Sequence, residues 1–403
     1  MMKRGLKIGL SIWMFKPGTG GLQSHAEHLA RHLIARGHEV TVITKAFTKV
    51  PERLEFLYFS ENPDAGEVDG VPVRALNYSP ALRPLHWFIA KAKDKVGLKK
   101  LALSLYRWQA KIGNENLYRG FDIIHHVGQA TALLGFAAAD GARKWQTPFV
   151  VQPTCHPFQV GDHPLDLKLY RMAKRTMVHT NYEESHLQPM LGSMPIDVVG
   201  NGIEDRTDGV GERFRDRHAI RGHMILYIGR RDADKGYGHV TEAFRLVKQK
   251  QPDATLVCMG PPGGLEKVED SGILNFDFVD EQTKHDALAA CYCLCVPSEG
   301  ESFGLVYMEA GRYAKPVIAR RLPVLEELLE GGKAGLLVGR ANTVKNENLL
   351  EPDELSEQIL NLIQNPRLAA QIGEECRSVS GKFIWPEIVK KFDASYQKVL
   401  EGV

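Results

Sequence analysis

No apolar run in this chain approaches the ~18 residues that a membrane-spanning helix needs, and no stretch is low-complexity or a short repeat. Charge of one sign is missing too: Lys plus Arg number 51 against 49 for Asp plus Glu, a formal net charge of +2. That balance gives no whole-molecule field for nucleic acid, so any site for an anionic partner must be local. The six cysteines, Cys155, Cys258, Cys291, Cys293, Cys295 and Cys376, form no CxxC pair. Cys291, Cys293 and Cys295 alternate along "CYCLCVPS", which on a strand turns all three to one side. A metal site would want a fourth ligand and a tighter turn, so they are expected as buried, reduced cysteines of a cytoplasmic protein. The opening "MMKRGLKIGLSIWMF" has the basic start of a secretory leader, but Lys7 interrupts its apolar run and no small-residue cleavage site follows. It is expected as a buried first strand. GxGxxG and Walker A loops are absent, which counts against a dinucleotide or ATP hydrolysis.

What is present is an ordinary apolar content, sufficient for large cores, in a length that predicts two to three domains at roughly 150 residues each. Short apolar runs alternate with helical patterns. Strands are expected at "LKIGLSIW", "EVTVIT", "FDIIHHV", "FVVQPT" and "IDVVG", then at "MILYIGR", "ATLVCMG", "ILNFDFV", "LCVPS", "PVIA" and "GLLVG". A helix is expected over 22–36, with Leu22, Ala26, Leu29, Ala30, Leu33 and Ile34 on one face. This alternation argues for parallel sheets covered on both sides. Two such series, separated by the charged stretch 211–223, imply two similar Rossmann-like domains, and "WPEIVKKFDASYQKVL" closes the chain as a helix opened by Pro386.

One segment departs from the plan. Within 85–111, Lys91, Lys93, Lys95, Lys99, Lys100, Arg107 and Lys111 stand against one acid, Asp94, while Trp87, Phe88, Leu98, Leu101, Leu105 and Trp108 supply apolar surface. A basic helix with aromatic anchors suits an anionic membrane. The competing reading is a solvated helix whose apolar stripe packs on its own domain.

Three loops carry chemistry. Gly18, Gly20 and Gly21 leave the backbone bare where the first helix begins, so free N–H groups and the helix end are available to a phosphate. A dinucleotide-binding domain would also want an acid at the end of its second strand, where this chain has Thr44 and Lys45. In "LYIGRRDADKGYGHVTEAF", Arg230 follows a strand end and Lys235 precedes the next helix, two cations above the edge of a parallel sheet and placed to meet an anion. Asp232 and Asp234 between them spell DxD, expected here to neutralise their neighbours rather than to hold a metal. In "PSEGESFGLVYMEA", Glu301 and Glu309 stand eight positions apart around a Phe-Gly turn.

Together these segments resemble the retaining glycosyltransferases of the GT-B fold, in particular family 4. "GGLQSHAEHLARHLIARGHEVTVIT", "VGNGIE", "IGRRDADKGYGHVTEAF" and "PSEGESFGLVYMEAGRYAKPVIA" occur in the family's order, and the closing helix resembles its crossing helix. The resemblance implies an α/β, GT-B fold: two Rossmann-like domains with parallel sheets facing an interdomain cleft. The N-terminal, acceptor-binding domain would span 1–198 with the crossing helix 386–403, and the nucleotide-sugar domain 199–385. Glu301 would approach the donor sugar's hydroxyls, Glu309 the ribose, and the backbone of Phe303, Gly304 and Leu305 the diphosphate. Arg230 and Lys235 would grip the leaving diphosphate. Gly20 and Gly21 would assist from the first domain, His156 would lie near the donor sugar, and Val279, beside Phe278, near the base. His25 is read as meeting the acceptor, or else as a plain helix-surface histidine.

The implied reaction moves a hexose-type sugar from a UDP-, GDP- or ADP-sugar to a hydroxyl of a sugar, glycolipid or small metabolite. The anomeric configuration is retained by attack on the face of departure. No metal and no cofactor are expected, nor any nucleic acid partner. The protein is expected in the cytoplasm, and whether it also touches the inner membrane face depends on which of the two readings of 85–111 holds. The alternatives are a nucleotide-sugar epimerase of the same fold and an inactive membrane-surface module. Some residues depart from the family pattern: Ser302 and Ala314 replace usual glycines, Arg320-Arg321-Leu322 replaces a Gly-Gly turn, and two prolines follow Gly260.

Overall fold

The computed structural model describes residues 5–16, 20–46, 64–77, 80–93, 95, 97–112, 114, 116–130, 133–339 and 350–402. The chain divides into two compact units, Met1–Gly202 with Trp385–Val403, and Ile203–Ile384.

In the first unit the order is β1 (Lys7–Met14), α1 (Gly21–Ala35), β2 (Glu39–Ala46), β3 (Asp64–Val68), β4 (Val71–Ala75), α2 (Arg83–Ala92), α3 (Lys99–Gln109), β5 (Ile123–Val127), α4 (Leu134–Lys144), β6 (Phe149–Gln152), α5 (Pro164–Tyr170), β7 (Arg175–Val178), α6 (Asn181–Leu191) and β8 (Ile196–Val198). The sheet runs β3-β4-β2-β1-β5-β6-β7-β8 and is parallel except where β3 pairs antiparallel with β4 at the edge. β5, β6 and β7 are buried along their whole length. That is the pattern of strands covered on both faces, with His125 and His126 of β5 and Gln152 of β6 buried among the apolar residues.

The second unit contains α7 (Gly211–Arg217), β9 (Met224–Ile228), α8 (Tyr237–Lys250), β10 (Thr255–Met259), β11 (Ile273–Phe276), α9 (Glu281–Ala290), β12 (Cys293–Val296), α10 (Leu305–Arg312), β13 (Val317–Arg320), α11 (Pro323–Leu328), β14 (Leu336–Val338), α12 (Pro352–Gln364) and α13 (Pro366–Ser380). Its sheet is wholly parallel, in the order β11-β10-β9-β12-β13-β14. The chain then re-enters the first unit as α14 (Trp385–Glu401).

All eleven expected strand segments coincide with strands of the two sheets, whereas β3, β4 and β7 carry no clear signal in the sequence. β7 hides in "KRTMVHT" because its four residues offer too little apolar length to mark it. The cysteine expectation needs one correction. Cys293 and Cys295 share a face of β12, but Cys291 is the C-cap of α9 and not part of the strand. All six cysteines are buried and unpaired with one another, and burial pushes the Cys291 thiol up to about 11. Among the described residues, no helix is long and apolar enough to cross a membrane.

α14 is bound to the first unit by both apolar and polar contacts. Trp385, Ile388, Val389, Phe392 and Tyr396 are buried. Tyr396 Oη lies 2.8 Å from His125 Nδ1, and Ser395 Oγ donates to Asp197 at 2.6 Å. Gly202 admits the Trp385 ring: a Cβ there would sit 2.2 Å from it. Phe392→Ala should therefore destabilise the first unit by about 3–5 kcal/mol, the usual cost of emptying a buried phenylalanine site. Urea unfolding followed by circular dichroism checks this; a midpoint equal to wild type would show that α14 is not part of that core.

Candidate active site

In the second unit the chain runs outward from β9 to β10 and β11, then returns to place β12 on the other side of β9. At such a reversal, the loops after the two adjacent strands diverge and leave a crevice at the carboxyl edge of the sheet. The two loops here are 229–236 and 297–304. They carry Arg230, Lys235, Glu301, Phe303 and Gly304, and Leu305 begins the helix that follows.

Side-chain and backbone contacts join the loops. Lys235 Nζ lies 2.7 Å from Glu301 Oε1, in a pair whose side chains are 24% and 11% exposed. The backbone N–H of Glu299 donates to the Asp234 carbonyl at 2.7 Å. Gly236, at φ 70°, caps α8 so close to Pro297 that a Cβ would stand 2.5 Å from its carbonyl oxygen. Both the backbone angle and the space exclude a side chain there. Beneath the second loop, the buried Arg320 donates from Nε to the Pro297 carbonyl at 3.2 Å, with Nη1 3.7 Å from Glu299. The departure from a Gly-Gly turn thus puts an internal guanidinium under the loop that carries Glu301. Ala314, the other departure, keeps the left-handed backbone a glycine would take, at φ 51°.

Arg230 is 56% exposed, with Nη2 3.1 Å from Asp232 Oδ2. Asp232 also accepts from the backbone N–H of Lys235 at 2.8 Å. Its carboxylate therefore shapes the loop and balances Arg230. The next residue, Arg231, does not stand out in the sequence. It is buried, donating to the Gly260 carbonyl at 2.7 Å and to Asp277 at 2.6 Å, so one guanidinium ties together the loops after β9, β10 and β11. Phe278, exposed, and Val279, half-buried, follow Asp277 directly.

Gly304, at φ 84°, caps α10, where a Cβ would meet the Tyr307 ring at 2.6 Å. The first-turn N–H groups of α10 lack intrahelical acceptors by geometry, and the helix dipole favours an anion there. Phe303 points its ring into the core, edge-on to Phe383 at 5.1 Å, so its contribution to a ligand is through the backbone. Glu309 lies on α10 beyond this turn, with Lys284 Nζ 3.1 Å away, and Lys284 also reaches Glu281 at 2.9 Å. Burial lowers the pKa of the Lys284 ammonium, but the two carboxylates outweigh it and the net shift is upward. Lys284 escapes a reading of the sequence because the partnership spans two helices and has no local spacing.

The remaining candidates sit in the first unit. Gly20 and Gly21 begin α1, and Gly18 lies outside the described residues. His25 is not a surface residue. It is buried, with Nε2 2.9 Å from Gln152 Oε1 and Nδ1 2.7 Å from Asn201 Oδ1, while Gln152 Nε2 reaches His179 Nε2 at 2.9 Å. Burial lowers the pKa of both His25 and His179. A neutral ring has one N–H, so one of the two amides must offer its NH2 to His25. The helix-surface alternative gives way to an internal polar chain that links α1 to the end of β6.

His156 lies half-buried in the loop after β6, its N–H donating to the Val160 carbonyl at 2.9 Å. The buried Glu183 holds this loop, accepting from the backbone N–H of Cys155 at 2.7 Å and of His179 at 2.8 Å. Burial pushes the Glu183 carboxyl up to about 7, against the lowering effect of those two N–H groups. A raised carboxyl favours the fold while protonated, so its contribution is complete below about 4.5 and lost as pH rises through about 7. Urea midpoints of wild type should therefore fall relative to Glu183→Gln between pH 4.5 and 7. Parallel profiles would show that the carboxyl titrates as it does in the unfolded chain.

The Glycosyltransferase Family 4 model matches residues 19–207, and the model for glycosyl transferases group 1 matches residues 222–365. A D-inositol 3-phosphate glycosyltransferase of Frankia alni is 26% identical over 96% of this chain and 97% of its own. A protein of the Klebsiella pneumoniae cps region, described only as an uncharacterized 41.2 kDa protein, is 32% identical over 55% of this chain and 66% of its own. Among solved structures, sucrose-phosphate synthase of Thermosynechococcus elongatus aligns with a TM-score of 0.72 at 17% identity, covering 99% of this chain and 100% of that one. Anabaena HepE in complex with UDP-glucose aligns at 0.68 and 17%, over 99% and 100%. With both parallel-sheet units and both family models in agreement, the chain belongs to glycosyltransferase family 4 and is a glycosyltransferase of the GT-B fold.

Proposed function

We propose that this enzyme transfers a hexose from a nucleoside-diphosphate sugar to an acceptor hydroxyl with retention, without a metal ion. The observation that carries the reading is the Lys235–Glu301 pair at 2.7 Å across the β9/β12 reversal. An adjacent ammonium and carboxylate suit an anionic leaving group and a hydroxylated ring lying side by side. Lys235 and the more exposed Arg230 take the diphosphate, together with the N–H groups of Phe303, Gly304 and Leu305. Glu301 accepts from sugar hydroxyls, Glu309 from the ribose, and the backbone near Val279 meets the base. In support, the structural neighbour HepE has been seen with UDP-glucose, and a trehalose-6-phosphate synthase neighbour with UDP-2-fluoro-glucose.

Breaking the glycosidic bond builds negative charge on the diphosphate. Preorganised cations therefore stabilise the transition state more than the ground state. One such interaction at ~4 Å is worth up to roughly 4 kcal/mol at an effective dielectric of 20. A diphosphate oxygen takes the acceptor's proton on the departing face, which removes the need for a protein base. Asp232 is already engaged with Arg230 and the loop backbone, which supports a metal-free site. The reading further assigns His156 to the donor sugar, Gly20 and Gly21 to the phosphates, and His25 to the acceptor.

Nucleotide binding to the native state raises its melting temperature, with ~2.7 kcal/mol gained at a hundredfold excess over Kd. One of UDP, GDP or ADP at millimolar concentration should do so, and Arg230→Ala should weaken the shift and slow turnover by on the order of a hundredfold. Activity should survive EDTA, and the product should keep the donor's anomeric configuration by NMR. No shift with any of the three nucleotides sinks the donor assignment. An inverted product sinks the same-face mechanism, and rescue of EDTA-treated enzyme by a divalent ion sinks metal independence.

A further inference from the structure

We propose that the outer face of the α2–α3 hairpin docks on an anionic lipid surface. The inference rests on exposure and charge in the first unit and is independent of the reaction assigned above. Six of the large apolar side chains exposed among the described residues fall within this one segment: Trp87, Phe88, Leu98, Leu101, Trp108 and Ile112. The rest, Phe158, Val210, Leu265, Phe278 and Leu400, are scattered singly along the chain.

The hairpin is already packed on its own domain, through different residues. His86, Ile89 and Ala92 of α2 and Ala102, Leu103 and Tyr106 of α3 are buried. The polar anchor is internal too: Lys45 Nζ lies 3.2 Å from His86 Nε2, and His86 Nδ1 3.2 Å from Gln109 Oε1. α3 therefore carries a second apolar stripe, 98-101-105-108-112, which at about 100° per residue occupies an arc of roughly 80° beside the buried one. Within it Leu101 is 48% and Trp108 53% exposed, and Trp87 on α2 is 54% exposed. A stripe meant only to cover the domain would not be duplicated on the solvent side.

Charge selects the occupant. Lys91, Lys95, Lys99, Lys100 and Lys111 are exposed along the same segment, and Asp94 is the only acid in 83–112. Arg107 does not take part, since it forms a bidentate pair with Asp140. Aromatic rings flanked by lysines match the boundary between acyl chains and anionic headgroups, where the rings sit among the glycerol groups and the ammoniums among the phosphates. A second copy of this chain would bring the same cations against each other, which disfavours self-association through this face.

The test is sedimentation of the full chain with phosphatidylcholine vesicles, with and without phosphatidylglycerol at about a third of the lipid, a composition that supplies the surface potential lysines respond to. Wild type should bind the anionic vesicles at least tenfold better than neutral ones, and lose that binding in molar salt. Lys99→Glu with Lys100→Glu should reduce partitioning by roughly fivefold or more per lysine. Trp87→Ser with Trp108→Ser should reduce it at either salt concentration. Brominated lipid should quench wild-type tryptophan fluorescence, a readout that does not depend on how the variants fold. Equal binding to both vesicle types, no binding to either, or variants that bind like wild type overturn the proposal. So does a concentration-dependent dimer in light scattering that both variants abolish.

Discussion

Lys235 and Glu301 are 2.7 Å apart because β9 and β12 are neighbours in the sheet of the second unit. A parallel sheet directs the loops after both strands to the same edge, and the reversal of strand order between them leaves room above that edge. The pair is largely covered, so its attraction is offset by the cost of removing two charges from water. Its contribution is better understood as placement. The other features of the loops follow from holding that placement: the left-handed glycines at 236 and 304, the carbonyl of Pro297 against Gly236, and the Arg320 guanidinium beneath.

The first unit solves a different problem with neutral groups. His25, Gln152, His179 and Asn201 form a buried chain of hydrogen bonds in which burial lowers the imidazole pKa values. Neutral partners avoid the desolvation cost that an ion pair would carry. Glu183 follows the same logic, since its carboxyl is raised toward neutrality and its oxygens fix the backbone of Cys155 and His179. The result is a strand end and a loop, including His156, held by directional hydrogen bonds.

Much of the fold is legible in the sequence. Strands buried on both faces are short unbroken apolar runs, and their alternation with helical patterns specifies a parallel sheet. β3 and β4 escape notice as a short edge hairpin, and β7 because Arg175 and Thr176 make up half of it. At the site, Glu301, Gly304 and Glu309 are legible because they belong to one continuous loop and helix. Arg231 and Lys284 are not, because their partners, Asp277 and Glu309, come from other elements. The surroundings of His25 are hidden for a related reason: helical periodicity sets it near Ala26 and Leu29, but does not tell that Gln152 and Asn201 meet it there.

Whatever depends on neighbours along the chain is written in the order of residues: where strands end, where glycine frees the backbone, and which loops carry cations and acids. The same order supplies enough apolar and basic residues in 85–111 for either a domain-packing helix or a surface-seeking one. The choice between partners came from packing. It committed His86, Ile89, Ala102, Leu103 and Tyr106 to the core and left Trp87, Leu101 and Trp108 outside. It gave Arg107 to Asp140 and Lys235 to Glu301. Burial and long-range pairing are properties of the packed sheet, because strand order, and with it each side chain's surroundings, is set by contacts between residues distant in the chain.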